Sequence, residues 1–326
     1  MKKSIINEIN RKQNSKTKEN KNLISSKSNF RKLTRMKLEK NYMKYIENES
    51  SKILKLYEND FYLWKKNLEK NTPQNHYILE NHKINNLLRA KLVDWMILIF
   101  DSYSSETQTF FLAIQILDLY FYLTSKTLKT NDLHLIGITC IYIASQFEDL
   151  FPIQLNEIIN QISSDFFNKS DILNKEIEIL FTIKFSLLNS TTYDFINLYV
   201  FDFYDSNKDK INKLNIEKYL DIIENTSIFL SKMLCLYDYF SNILPSIKAL
   251  CCIICAFDIF QSNCKNLNEE VIDIFKGWII LLIEESDSDE KYIEFVYNNI
   301  IEFYNIINYD LYLGKNLKLT FPLYFT

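Results

Sequence analysis

The chain has 326 residues, of which 47% are hydrophobic and 15% aromatic, enough apolar surface for about two packed domains and too much for a globally disordered chain. Only 3 Gly and 4 Pro exclude architectures that need many tight turns, such as sandwiches, barrels, dinucleotide-binding folds and P-loop folds, and leave an all-α fold. A net charge of −3 supplies no overall attraction to nucleic acid or acidic lipid.

In chain order, residues 1–40 carry 13 Lys/Arg against 3 Asp/Glu, a local balance of +10 that leaves about −13 for the rest. With few large apolar residues, this stretch cannot offset its own ordering entropy, so 1–45 reads as a flexible basic tail. A nuclear-import or acidic-partner signal and a solvated tail with neither role both fit it. The start, MKKSIINEINRKQ, lacks the apolar core of a signal peptide.

From about residue 50, apolar residues recur at helical spacing. The pattern predicts helices at 51–70, 86–102, 106–125, 131–147, 153–162 and 169–183, then at 190–204, 214–234, 244–261, 268–284 and 289–308. Ser105 before Glu106, Asn131-Asp132 and Pro152 supply start and stop signals. One helix outside the pattern is followed by two blocks of five, with a break at Leu188-Asn189-Ser190, which suggests an internal repeat. The division is 1–45, 46–188, 189–310 and a C-terminal tail at 311–326. The longest clean apolar runs, WIILLI at 278–283 and LCCIICAF at 250–257, fall far short of the roughly 20 residues of a membrane span.

The residues offer no catalytic constellation. There is no Gly-rich phosphate loop, kinase lysine, His-Arg-Asp loop or His-Glu-x-x-His pair, and His76, His82 and His134 are the only histidines. Cys251, Cys252 and Cys255 include a C-x-x-C, but they lie in a continuous apolar helix with no second pair, so core packing is expected and no metal or other cofactor. The six Cys read as reduced thiols of a nuclear or cytoplasmic protein. Such a chain acts by binding. Arg89 and Asp118 sit on consecutive helices that otherwise bury aromatics, and pairing them resolves both charges. Gly137 in a helix interior implies close helix packing, and Leu88, Leu92 and Trp95 form a stripe that suits either core or docking.

The segment LLRAKLVDWMILIF at 87–100 resembles the opening helix of the cyclin box, whose usual form in A- and B-type cyclins is MRAILVDWL. YENDFYLWKKNLE at 57–69 looks like the cyclin N-terminal helix, and HYI at 76–78 sits where the A/B group has a similar turn. FFLAIQILDLYFYL, LHLIGITCIYIASQFEDLFP and DILNKEIEILFTIKFSL follow in the family's order, and DYFSNILPSIKALCCIICAF at 238–257 resembles its second fold. The resemblance covers about residues 50–308. It implies two tandem five-helix cyclin folds and a regulatory subunit that binds and activates a cyclin-dependent protein kinase in cell-cycle control.

By the same resemblance, Phe61, Trp64, Ile143, Phe147, Phe185 and Leu187 form the apolar part of a kinase-binding surface, and Glu176 is its acidic anchor. The usual Lys of that surface is Gln146, which replaces a charge-assisted bond of roughly 1.5–3 kcal/mol with a neutral one of about 1. Leu88, Lys91, Leu92, Trp95 and His134 match a groove that binds Arg-x-Leu substrates or inhibitors, with Lys91 where Ile is usual and His134 where Gln is usual. Arg89 and Asp118 match a buried ion pair. In the tail, Lys18-Glu19-Asn20 and the Arg35-x-x-Leu38 motif have the form of signals read by cell-cycle ubiquitin ligases, and Thr72-Pro73 is a minimal phosphosite. The resemblance places such a protein in nucleus and cytoplasm. Two other readings are a cyclin-fold adaptor in transcription, against which the acidic charge of 41–326 argues, and a divergent cyclin that binds a partner without activating it. The abundance of Asn, Ile, Lys and Tyr suggests an A+T-rich, protist-like source.

Overall fold

The computed structural model describes residues 51–71, 78–163, 166–214, 216–264, 268–310 and 313–324. The basic tail with Lys18, Glu19, Asn20, Arg35 and Leu38, and also Thr72-Pro73 and His76, lie outside them.

Among the described residues the architecture is helical, and β pairing is limited to one parallel bridge, Lys83 to Lys129. Helix α1 (Ser51–Asn71) is followed by a first group: α2 (Asn86–Tyr103), α3 (Thr107–Leu123), α4 (Leu133–Glu148), α5 (Leu155–Glu157, continued by a π-helical turn Ile158–Ile162) and α6 (Lys169–Thr182). A second group comprises α7 (Thr192–Ser206), α8 (Lys208–Leu214), α9 (Ile216–Leu234), α10 (Pro245–Asn263), α11 (Glu269–Glu285) and α12 (Glu290–Tyr309), with α13 (Lys315–Thr320) last. Each helix expected from periodicity has a counterpart displaced by a few residues at most. Helices α8 and α13 were not expected, because 7 and 6 residues are too short to establish a 3.6-residue period.

The starts follow local chemistry. Asn85 caps α2 by accepting from the Leu88 N–H at 2.9 Å. Asn168 with Asp171, and Thr191 with Asp194, form capping boxes on α6 and α7, while Pro245 occupies the first turn of α10. The expected signal at Ser105 fails: its hydroxyl is enclosed without a partner. Asp149 from the end of α4 does the capping of α3, accepting from the Glu106 N–H at 2.9 Å and the Thr109 hydroxyl at 2.6 Å.

The core of the first group is built on α3 against α4, that of the second on α9 and α10. Residues on three sides of α10 are buried, including Cys251, Cys252 and Cys255, so its length and apolar composition, sufficient for a membrane span, are those of a central core helix here. Gly137 on α4 permits the approach of α2: a Cβ there would stand 2.6 Å from Leu92 Cδ1.

Helix α1 docks on the second group and on the linker before it. Lys65 pairs with Asp194 at 2.9 Å, the Ser190 hydroxyl donates to the Lys65 carbonyl at 2.6 Å, and Glu69 accepts from the Ser246 N–H and hydroxyl at 2.6 and 2.8 Å. The segment read as a C-terminal tail also docks. The buried Asp94 of α2 accepts from the Asn316 and Leu317 N–H groups, both at 2.9 Å, and thereby caps α13 from a distance of over 220 residues in sequence.

Candidate partner-binding site

The ion pair expected between Arg89 and Asp118 is present, bidentate, with Nε and Nη2 donating to the two carboxylate oxygens at 2.9 and 2.7 Å. A third bond was not legible in the sequence: Nη1 donates to the Cys235 carbonyl at 2.9 Å, tying the first group to the second. Arg89 is 1% exposed, so its role is structural.

The residues expected at a partner surface divide by burial. Phe61 and Trp64 project from α1 as a tilted aromatic pair, 5.5 Å between centroids, with the Lys65 ammonium 5.2 Å from the Trp64 ring. Phe147 is exposed at the end of α4, and Phe185 is 58% exposed after α6. Leu187 is half-buried. Ile143, expected at the partner surface, is 4% exposed, because its position on α4 turns inward with Cys140 and Ala144.

Glu176 lies on α6 in a partly buried setting with no ion pair or side-chain hydrogen bond to another described residue. Burial pushes its carboxyl pKa up, and burial likewise raises that of Tyr142 on α4, with the Glu176 charge adding to it. Gln146 is exposed, and its amide donates inward to the Ile153 carbonyl at 2.9 Å, holding the turn after α4.

Sequence reasoning missed Ile177, Phe181 and Leu188, all more than half exposed. Phe181 stands edge-on to Phe185 with centroids 5.5 Å apart. The signal was available: 177 and 181 share a helix face, and Phe185 follows one turn later. Lys184 and Phe185 both have left-handed backbones, φ 53° and 56°, and the Phe185 N–H donates to the Leu180 carbonyl at 2.9 Å. Two consecutive non-glycine residues in this region carry strain of about 1–2 kcal/mol each, held by the packing of Ile183 below. The consequence is an aromatic displayed to solvent at a fixed place.

The second candidate surface lies on α2 and α4. Leu88 and Trp95 are half-buried, Leu92 is buried, Lys91 is exposed. His134 stands edge-on to Trp95 at 5.3 Å and is flanked by Phe167 at 5.5 Å and the highly exposed Phe166 at 6.3 Å. Burial lowers the His134 pKa, so the ring is neutral at pH 7 and Lys91 is the cation of this groove.

Cys140, Cys252 and Cys255 are buried with pKa values pushed up by desolvation, and Cys251 is pushed up to about 12. Among the described residues no group of three or more His, Cys, Asp or Glu is arranged to hold a metal ion.

Residues 60–188 match the family model described as the cyclin N-terminal domain. A G2/mitotic-specific cyclin-B3 of Mus musculus is 33% identical over 144 residues, 44% of this chain and 10% of the relative. A G2/mitotic-specific cyclin-A of Hydra viridissima is 30% identical over 137 residues, 42% of this chain and 32% of the relative. Cyclin-B1-3 of Arabidopsis thaliana is 26% identical over 152 residues, covering 47% and 36%. The matched segment thus spans about a third or less of these relatives' lengths. In three dimensions the chain is similar to a viral cyclin from herpesvirus saimiri, with a TM-score of 0.55 at 17% identity, over 82% of this chain and 99% of that one. The fold is that of the cyclins, and residues 60–188 match the cyclin N-terminal domain, with A- and B-type cyclins among the relatives of that segment.

Proposed function

We propose that this chain is the regulatory subunit of a cyclin-dependent protein kinase and acts in cell-cycle control. The observation that carries the reading is the exposure of the aromatics Phe61, Trp64, Phe147, Phe181 and Phe185, together with Glu176, which is unpaired among the described residues. Exposed aromatics held on helices and at their ends gain from burial against a partner, at about 25 cal/mol per Å² of apolar area. An unpaired, partly desolvated carboxylate fits a partner that presents backbone N–H groups or a cation. Activation follows if that face binds the kinase's active arrangement more tightly than its inactive one. Gln146 supplies an amide in place of an ammonium, and its bond to the Ile153 carbonyl competes with any partner contact. That bond supports the second reading, a divergent cyclin that binds a partner without activating it.

Three finer readings accompany the proposal. The groove at Leu88, Lys91, Leu92, Trp95 and His134 receives substrate or inhibitor peptides, with Lys91 opposing an Arg-x-Leu motif. Lys18-Glu19-Asn20 and Arg35-x-x-Leu38 act as ubiquitin-ligase signals, and the chain works in nucleus and cytoplasm. The test is to isolate the tagged chain from its native cells, identify the kinase that co-purifies, and assay that kinase with and without the chain. A co-purifying kinase that is stimulated supports activation. One that is bound but not stimulated selects the second reading, and capture of transcription machinery without a kinase selects an adaptor.

A further inference from the structure

Helix α11 and the loop after it present a surface that the proposed kinase contact leaves free. The buried side of α11 is Val271, Phe275, Trp278, Ile279 and Leu282. On the opposite side Ile280 and Leu281 are each 55% exposed, and one turn earlier a Cβ on Gly277 would meet nothing within 4 Å, so the space beside them is open. Between 269 and 294 the chain carries nine Asp and Glu, all exposed, against Lys276 and Lys291. Five of the nine stand between 284 and 290, and none of the nine forms an ion pair with another described residue. An apolar strip rimmed by unpaired carboxylates repels nucleic acid, acidic lipid and a second copy of itself, and attracts a segment that is both basic and apolar.

The chain carries such a segment. Residues 30–46, FRKLTRMKLEKNYMKYI, lie outside the described residues and hold six Lys/Arg and one Glu among eight large apolar side chains. They precede α1, and α1 leads to α11 by a short path. Tyr62 of α1 stands edge-on to Phe195 of α7 at 6.4 Å, and Phe203 of α7 lies 5.0 Å from Phe275 and 4.7 Å from Trp278 of α11. Phe195 and Phe203 are eight residues apart on one helix, about 12 Å. Burial raises the pKa of Tyr62, and the charges of Glu285, Glu69 and Asp287 add to it, in keeping with a loop close to α1. From Tyr62 to the start of α1 at Ser51 is about 16 Å. Residues 46 and 30 precede Ser51 by 5 and 21 positions, and at up to about 3.3 Å per residue the segment reaches the α11 surface with every described helix in place.

We propose that residues 30–46 fold back and dock on the α11 surface, with apolar side chains against Ile280 and Leu281 and cations against the carboxylates of 284–290. A short tether holds the segment at a roughly millimolar effective concentration, so weak contacts suffice. The docked segment is closed to an outside acidic partner until that partner displaces it or salt screens the contact.

The test uses the full chain, treated with a zero-length carbodiimide that joins amines to carboxylates, at about 50 mM and about 1 M salt. The monomer fraction is then mapped by mass spectrometry. Links from Lys32, Lys37, Lys40 or Lys44 to the carboxylates of 284–290 are expected, enriched over links to carboxylates elsewhere and lost at the higher salt. Tryptic cleavage within 30–46 tracks the undocked population. It should be at least about fivefold faster than wild type in Glu284→Gln/Glu285→Gln/Glu290→Gln and in Ile280→Ser/Leu281→Ser. All five side chains are exposed, and melting curves check that both variants fold. Monomer links spread evenly over the surface, or cleavage unchanged in whichever variants fold, would overturn the proposal. Links confined to dimers would also overturn it, by assigning the surface to a second copy.

Discussion

Glu178 accepts from Tyr120 at 2.7 Å, Lys126 at 2.8 Å and Lys175 at 3.0 Å. Burial raises its pKa, but these three donors outweigh it and bring the carboxyl down to about 2 from an ordinary 4.5. A carboxyl depressed on folding contributes stability that is complete above its unfolded pKa and is lost as pH falls through the folded one. Denaturant titrations should therefore show Glu178→Gln less stable than wild type above pH 5, with the difference shrinking between pH 4.5 and 2. The buried pair behaves differently: Asp118→Ala strands the Arg89 guanidinium and should cost about 3–5 kcal/mol in the same measurement. That pair was legible because two charges on neighbouring apolar helices have few other ways to be satisfied. Ile143 was misjudged because resemblance gives a position, not the direction in which a helix face turns. The Cys235 carbonyl was invisible, since nothing local marks a contact made across more than 100 residues.

At the scale of elements, the turn after α6 stores strain at Lys184 and Phe185. Lys184→Gly should relieve it, raising stability by about 0.5–1 kcal/mol while leaving partner binding unchanged, as melting curves and calorimetry would report. Helix α13 is held by a side chain from α2 rather than by its own sequence. Asp94→Ala should cost about 2 kcal/mol and expose the 315–320 backbone to hydrogen exchange, with α2 still protected. Long helices were readable because each repeats its apolar face over several turns. Helices α8 and α13 were not, for they depend on neighbours distant in sequence. The start of α3 carries the same lesson: its cap is Asp149, 43 residues beyond Glu106, and not the adjacent Ser105.

As a whole molecule, the chain consists of two helical groups joined by α3 against α7, by the Arg89 bond to the Cys235 carbonyl and by α13 against α2. The proposed partner surface draws Phe61 and Trp64 from α1, and Phe147, Phe181 and Phe185 from α4, α6 and the turn beyond it. The direct test is calorimetric affinity for the co-purifying kinase, measured for wild type, Phe147→Ala and Glu176→Lys, each with a melting curve. Each variant should lose at least about 2 kcal/mol of binding, some thirtyfold, with Tm within a degree or two of wild type, because both side chains lie at the surface. Unchanged affinity in both variants would contradict the account, by showing that the kinase does not bind this face.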